Sequence, residues 1–227
     1  MRPNSKRTLA AFAAVAIVLL SAACARLVPG QGPAPLLYTL TPKSTFVPDL
    51  PVVDWQLTLE VPFAAAALNT TRIAVQPGPT SFNYYAGASW TDVAPMMMQT
   101  LMVESFENSR RIVSVGRASI GLRSDFILKT ELREFQAEAF SGRVVVGIDA
   151  KLVKMPERTI VAASEFRDAA PADVDDMSST IAAFDEALGR VLKRMVVWTL
   201  TSGQEAWVKA KADQAAAEKE RRRLDPL

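Results

Sequence analysis

Three consecutive segments with two-residue periodicity constrain the fold of this chain more than any other feature. Apolar side chains occupy alternate positions in the segments 126–133, 144–152 and 160–166, with polar side chains between them. Such alternation predicts strands of an antiparallel sheet that has one buried face and one hydrated face. Met155-Pro156-Glu157-Arg158 is predicted to form the hairpin turn between the last two strands.

Two further segments have helical periodicity. One begins around Trp90, contains Pro95 in its first turn and ends at Asn108-Ser109. The other begins after an acidic, hydroxyl-rich stretch at 173–179 and runs to about Leu200, and Gly203 is expected to end it. Shorter strands are predicted at 36–40, 54–61, 71–75 and 112–115, and residues 81–88 are expected to form a loop or an irregular strand.

These elements predict an α+β fold, in which a mostly antiparallel sheet of four to six strands carries two long helices packed on one face. The order along the chain is strands, helix, strands, helix. Within the first helix, Met97, Met98 and Met102 are expected in the core, whereas Met96 is equally compatible with the core and with an adaptable surface.

The N-terminal region resembles a bacterial lipoprotein signal. Three basic residues precede an apolar run over residues 9–20, and Ser21-Ala22-Ala23 lead into Cys24, the only cysteine of the chain. In such signals the cysteine becomes the acylated N-terminus of the mature protein. The alternatives are an uncleaved anchor, for which the run is short of the roughly 20 apolar residues that span a bilayer, and an ordinary secretory signal with a coincidental cysteine.

Four segments are therefore expected. Residues 1–23 form the signal peptide, residues 24–51 an acylated Cys24 with a proline-rich tether, residues 52–203 an α+β binding domain, and residues 204–227 a charged tail that is helical or disordered. The signal peptide holds three of the 26 basic residues and none of the 24 acidic ones, so the mature chain would be close to neutral. We therefore expect no nucleic-acid partner. The basic tail either contacts anionic lipid headgroups or an acidic partner, or is a solvated end.

Catalytic chemistry is difficult to assemble from this sequence. The chain has no histidine, which excludes Ser–His and Cys–His nucleophile systems, and it lacks a glycine-rich phosphate loop and a Cys/His cluster for zinc. Asp175 and Asp176 are the remaining carboxylate pair, but acids at a helix start explain them better, and Glu131, Glu134 and Glu138 fit polar strand positions. We expect a protein that is not an enzyme, with no metal site and no cofactor beyond a covalent lipid at Cys24, palmitate among its acyl chains.

Three aromatic residues are the candidate partner-binding site. Tyr84, Tyr85 and Trp90 precede the first helix, and exposed aromatic side chains there would be contact anchors. Packing of this entry to the helix is the equally reasonable alternative.

Three stretches of the chain together resemble the ABC-type transport auxiliary lipoproteins. They are Leu68–Val75, the segment Phe82-Asn83-Tyr84-Tyr85-Ala86-Gly87-Ala88-Ser89-Trp90-Thr91-Asp92, and Arg111–Val115 after the helix. The aromatic pair before a small residue, the following tryptophan and the proline-containing helix start are that family's pattern. The lipid-attachment cysteine and Leu37–Leu40 fit it as well, so the resemblance covers about residues 24–200.

The resemblance implies a periplasm-facing lipoprotein of an MCE-type lipid transport system. Such systems combine an inner-membrane permease and ATPase with a membrane-tethered MCE ring protein, and the auxiliary lipoprotein binds the MCE component and links it to the outer membrane. Ala25 is not the aspartate associated with inner-membrane retention in enterobacteria, so outer-membrane placement is compatible with the sequence. The alternatives are an envelope-assembly lipoprotein, acting in lipopolysaccharide export or on a cell-wall synthase, and a lipid-binding carrier with its own cavity.

Overall fold

The computed structural model describes residues 34–118 and 124–224, and these contain nine strands and two helices. The strands are β1 (Leu36–Tyr38), β2 (Val53–Leu59), β3 (Phe63–Ala64), β4 (Arg72–Gln76), β5 (Asn83–Trp90), β6 (Ile112–Arg117), β7 (Phe126–Glu138), β8 (Arg143–Lys154) and β9 (Thr159–Pro171). The helices are α1 (Ala94–Ser109) and α2 (Met177–Leu224). The predicted signal peptide and Cys24 lie outside the described residues.

The long strand β7 organises the sheet. One edge of β7 pairs antiparallel with β8, which in turn pairs antiparallel with β9. Along its other edge β7 pairs in parallel with β2, β3 and β4 in succession, through Leu57 opposite Phe126, Phe63 opposite Glu131 and Ala74 opposite Gln136. Each of these three strands is too short to span the 13 residues of β7, so they follow one another along it.

The α+β class and the order of strands and helices are therefore confirmed, but the predicted sheet is wrong in size and pairing. The sheet has nine strands and is mixed, where four to six mostly antiparallel strands were predicted. The parallel pairs include β1 with β5 and β2 with β6. The alternation of apolar and polar residues identifies each strand but carries no information about the direction of its neighbour.

The described residues of the predicted tether pack on the domain. Strand β1 pairs with β5 as an edge strand, as predicted, and Leu40 and Leu50 are buried in the core. The hydroxyl of Thr41 donates to Asp185 at 2.8 Å, and the Arg111 guanidinium donates to the Pro48 carbonyl at 2.6 Å. These contacts bind the prolines at the end of this segment to the domain, so any free tether is confined to residues before β1.

The buried face of helix α1 is the one that the sequence predicts. It begins at Ala94 with proline in its first turn, and Met97, Met98 and Met102 are buried while Met96 is 41% exposed. The three buried methionines are core residues, and Met96 is at the surface.

Helix α2 covers β8 and β9 and contacts α1. Phe184, Leu188, Val191 and Met195 form its fully buried stripe, as the three- and four-residue spacing predicts. The helix does not end at Gly203. It runs to Leu224 and is 48 residues long in total, about 72 Å at 1.5 Å per residue, so the predicted end is wrong. We call residues 204–224 the helical arm.

Candidate partner-binding surface

Trp90, one of the three predicted contact residues, is a core side chain. It is the last residue of β5 and is 1% exposed. Its ring lies 5.1 Å from that of Phe135 on β7 and 5.2 Å from that of Phe184 on α2. The structure therefore supports the packing alternative for Trp90. Its side chain packs in the core between the sheet and α2.

Tyr85 is half-buried and fixes an irregular stretch of β5. The three residues of β4 from Arg72 to Ala74 stand opposite the six residues of β5 from Tyr84 to Ser89. Gly87 has a φ of +69° in this bulge, a conformation that glycine adopts without steric cost. The Tyr85 hydroxyl donates to the carbonyl of Val174 at 2.8 Å, and burial raises the pKa of Tyr85. The tyrosine thus ties β5 to the loop that precedes α2.

Tyr84 belongs to a small surface cluster, which we call the aromatic cluster and which consists of Arg72, Phe82 and Tyr84. The Arg72 guanidinium carbon lies 3.5 Å from the centroid of the Tyr84 ring, and the rings of Phe82 and Tyr84 meet edge to face at 5.7 Å. The Tyr84 hydroxyl donates to the Ala67 carbonyl at 3.1 Å, so the ring is held in place. Arginine and tyrosine are common anchors of protein interfaces, which makes this cluster the best-formed candidate contact surface on β4 and β5.

Arg72 and Phe82 were not predicted as site residues. Arg72 on β4 and Tyr84 on β5 stack on each other although they are not opposite each other in the sheet. Arg72 pairs with Ser89, and Tyr84 pairs with Ala74. The bulge brings them together. The sequence shows Arg72 in one segment and the aromatic residues Phe82 and Tyr84 in the next. It does not show the strand register that brings their side chains together.

The helical arm is joined to the sheet at its base. The Trp55 indole nitrogen donates to the Gln204 side chain at 3.2 Å. Lys211 lies 4.7 Å from the centroid of the Trp207 ring and donates to Asp54 at 3.1 Å, a hydrogen bond that lowers the pKa of Asp54. Every described residue from Lys211 onward is exposed, so the last three turns or more project from the domain as helix without a packed face.

The acidic residues that the sequence offered for catalysis have structural roles. Asp176 accepts hydrogen bonds from the backbone of Ser178 and Ser179 at 3.2 and 3.0 Å, which caps α2, while Asp175 is exposed. Each of the three strand glutamates has an arginine partner: Glu131 with Arg133, Glu134 with Arg167, and Glu138 with Arg143. Burial opposes ionisation of Glu138, but hydrogen bonds from Ser141 and Arg143 outweigh it and lower its pKa.

The comparison with known families identifies the class of this protein. A family model described as the ABC-type transport auxiliary lipoprotein component matches residues 38–196. The chain belongs to this family, as the resemblance of its motifs predicted. The match includes β5, the aromatic cluster and most of the stretch of α2 that packs on the sheet, and it ends before the helical arm.

Two solved structures share the fold of this chain. The crystal structure of protein XCC0632 from Xanthomonas campestris is 33% identical, superposes with a TM-score of 0.71, and covers 75% of this chain and 98% of that chain. Another crystal structure, of an uncharacterized protein, is 13% identical with a TM-score of 0.58 and covers 72% of this chain and 97% of its own, which shows the fold alone.

A relative from Bradyrhizobium diazoefficiens, itself an uncharacterized protein, is 27% identical over 173 residues. These residues are 75% of this chain and 47% of the relative, so the chain spans about half the length of the curated relative it matches. In the described residues, neither helix is long and apolar enough to cross a bilayer. The description of the family names a lipoprotein and an ABC-type transport system.

Proposed function

We propose that this protein is a non-catalytic, periplasm-facing adaptor that binds the MCE-domain component of an ABC lipid transport system and tethers it to the outer membrane. The observation that carries the proposal is the match over residues 38–196 to a family described as an ABC-type transport auxiliary lipoprotein component. The permease and the ATPase of the system are the further partners, reached through the MCE protein.

The proposed anchor is a lipid on Cys24. Leu36, the first residue of β1, lies 12 positions after Cys24, and a chain of that length reaches at most about 40 Å when fully extended. The domain would therefore remain within about one domain diameter of its membrane while it contacts a partner. Ala25 is compatible with placement in the outer membrane.

The proposal of a non-catalytic protein is supported by the roles of its acidic side chains. Asp176 caps a helix, and the strand glutamates are paired with arginines. Each of these four carboxylates therefore has a structural partner where a catalytic acid or base would face a substrate.

The proposed contact surface is the aromatic cluster together with Tyr85. Arg72 and Phe82 are exposed and Tyr84 is half-buried. A partner that binds here would bury these three side chains, which already hold fixed positions against one another. Little conformational entropy is lost when such fixed side chains bind.

The test is an affinity purification of the tagged full-length protein from detergent-solubilised membranes, with the untagged strain as the control. We expect an MCE-domain protein, a permease and an ATPase in the same eluate. An eluate that contained outer-membrane β-barrel proteins of lipopolysaccharide export or a cell-wall synthase, and lacked all three transporter components, would contradict the proposal and favour an envelope-assembly role.

A further inference from the structure

Strand β9 has one unpaired edge. It pairs with β8 along one side, and no strand of the described residues pairs with its other side. With 13 residues it is as long as β7. The N–H and C=O groups along such a free edge are a template for a further strand, and proteins usually block them. The hydrogen bonds along this edge therefore show which part of it is closed.

The backbone groups that face the free edge can be identified from the register. The Ala172 N–H, just after β9, donates to the Gly142 carbonyl at 2.9 Å, so even-numbered residues at this end point toward β8. Successive residues of a strand point their backbone groups to opposite sides. The pairing of β9 with β8 is unbroken over residues 162–171. Residues 163, 165, 167, 169 and 171 therefore face the free edge.

The C-terminal half of this edge is closed. The Arg167 carbonyl accepts from Arg194 of α2 at 2.8 Å, and the Ala169 carbonyl accepts from Arg190 of α2 at 2.9 Å. The Ala169 N–H donates to its neighbour Asp168 at 2.9 Å. The last residue of β9 is a proline, which has no N–H to offer and is a common block at sheet edges.

The other half of the edge is open. Ala163 and Glu165 are exposed, and in the part of the chain that the structure describes no group outside the β8 pairing bonds to their backbones. The open stretch ends at Val161, which is an extra residue in a bulge, because Ile160 pairs with Val153 and Ala162 with Leu152. Two residues with free donors and acceptors thus lie between a bulge and a closed segment.

An apolar depression adjoins the free edge on the side of α2. It has a volume of about 460 Å³, and Phe166, Val197 and Trp198 form its apolar wall. The rings of Phe166 and Trp198 meet edge to face at 5.5 Å. Arg194 borders the depression and also bonds to the free edge, so the two features are neighbours. A strand added to β9 would direct alternate side chains toward α2, and an aromatic one would fit here.

The charge at this depression is positive. Lys193 and Arg194 border it, and no acidic side chain of the described residues lines it. Arg194 is engaged with Asp168 at 2.6 Å, whereas Lys193 makes no ion pair within the described ranges. An acidic side chain on the same face of the added strand would therefore be attracted to Lys193.

We propose that the free edge of β9 at residues 163–165 binds an extended segment of a partner protein as an added strand. An aromatic side chain of the segment enters the depression, and an acidic side chain on the same face lies near Lys193. Backbone hydrogen bonds supply affinity in this mode of binding, and alternate side chains supply specificity. The inference goes beyond the proposed function, because it assigns a second docking surface on strands other than those of the aromatic cluster.

The first test is hydrogen exchange of the full-length protein in detergent, resolved to single residues by mass spectrometry. The amides of Ala163 and Glu165 should exchange at least about tenfold faster than those of Ser164 and Phe166, which bond to β8. Saturation with a strand-forming peptide should slow the first pair at least about tenfold and leave the second pair unchanged.

The peptide is a synthetic heptamer with threonine at its odd positions and glutamate, phenylalanine and glutamate at its even positions. Fluorescence polarisation of a labelled copy measures its binding. Replacing the phenylalanine by serine should weaken binding about tenfold or more, because the apolar contact is lost. Replacing both glutamates by lysine should weaken it about threefold, the range for partly exposed charges.

N-methylation of the peptide tests the backbone hydrogen bonds directly. Methyl groups on the threonine nitrogens block one edge of the peptide strand, and methyl groups on the other three nitrogens block the opposite edge. One of these two peptides, and not both, should lose binding. The threonine set is the sensitive one if the added strand is antiparallel to β9, and the other set if it is parallel.

Variants of the protein place the site. Ala163→Pro removes an N–H that faces the free edge and keeps the pairing with β8, so it should abolish peptide binding. Ala163→Val keeps the N–H and is the matched control, which should bind like the wild type. Melting temperatures identify a variant that does not fold, and the methylated peptides test the same hydrogen bonds without any change to the protein.

Several outcomes would overturn the inference: slow exchange of Ala163 and Glu165 in the protein alone, no saturable binding of the heptamer, equal binding of both methylated peptides, or full binding by a folded Ala163→Pro variant. A dimer in sedimentation that Ala163→Pro dissociates would assign the edge to a second copy of this chain. Purified protein and synthetic peptides are used throughout, so failure here leaves the affinity purification of the transporter components as a separate result.

Discussion

Gly203 of α2 lies directly against the indole of Trp55 on β2. A Cβ atom built on Gly203 would stand 2.6 Å from Cζ2 of the indole, and Trp55 is completely buried. The glycine therefore allows close approach of a helix to a strand and does not end the helix. This contact is the point at which α2 leaves the sheet and the helical arm begins.

Gly203→Ala should destabilise the protein although alanine favours helix. Overpacking a close contact costs about 1–3 kcal/mol and alanine gains about 1 kcal/mol in helix propensity, so the expected net loss is up to about 2 kcal/mol by denaturant unfolding. Gly189→Ala is the matched control, because nothing lies within 4 Å of a Cβ at Gly189. It should stabilise the protein by about 0.5–1 kcal/mol. Equal effects of the two substitutions would contradict the role given to Trp55.

Tyr84→Ala should weaken partner binding more than it affects folding. A central interface aromatic contributes at least about 2 kcal/mol, so the recovered MCE protein should fall by about 30-fold while the melting temperature changes by a few degrees. Tyr84→Phe keeps the ring over Arg72 and loses only the bond to Ala67, and it should bind nearly normally. If the alanine variant recovers the partner as the wild type does, the aromatic cluster is not the contact surface.

Trp90→Ala should behave in the opposite way. Removal of a buried tryptophan costs about 3–5 kcal/mol, here through lost contacts with Phe135 and Phe184. Thermal unfolding followed by circular dichroism should show a large decrease in melting temperature. A stable variant that fails only in partner binding would mean that Trp90 is a contact residue after all.

Asp168 should make stability depend on pH in the acid range. Burial opposes its ionisation, but the hydrogen bonds from Arg194 and Arg190 outweigh this and lower its pKa. A group with a lowered folded-state pKa contributes stability that is present above the unfolded-state value, about 4, and is lost as the pH falls through the folded-state value. Asp168→Asn should therefore reduce the unfolding free energy by about 1–2 kcal/mol at pH 7.

The difference between Asp168→Asn and the wild type should shrink progressively as the pH falls below about 4. Urea titrations at several pH values measure it. A difference that stayed constant down to the acid-unfolding region would show that the arginine pair does not depend on the charge of Asp168.

Asp176→Ala should cost about 1 kcal/mol, since it removes the cap of α2. Asp175→Ala, one residue earlier and exposed, is the control and should change stability by less than about 0.5 kcal/mol. Equilibrium unfolding measurements of the two variants test this prediction and require no assay of function. Indistinguishable losses would contradict the capping geometry.

The sequence predicted the local elements better than their assembly. The alternation from Phe126 to Phe166 identified β7, β8, β9 and the turn at 155–158, and helical spacing identified the buried faces of α1 and α2. The parallel pairing of β7 with β2, β3 and β4 depends on contacts between residues about 60 to 70 positions apart, which no local pattern encodes. Residues 81–88 were predicted as a loop or an irregular strand, and the structure shows a strand with a bulge there.

The candidate site was only partly predictable, for a related reason. The aromatic residues of β5 were recognised, but their burial depends on which side of the bulge each occupies, and Trp90 faces the core. Gly203 was predicted to end the helix, and only the position of Trp55 shows that it allows a close contact instead.

The anchored adaptor depends on an acylated Cys24, and the intact mass of the native protein extracted from membranes tests this most directly. We expect a chain that begins at Cys24 and carries the mass of a diacylglyceryl group and its acyl chains, found in the outer-membrane fraction. Cys24→Ser should retain residues 1–23 and incorporate no labelled fatty acid. A soluble native protein that keeps residues 1–23 and carries no lipid would contradict the proposed anchoring.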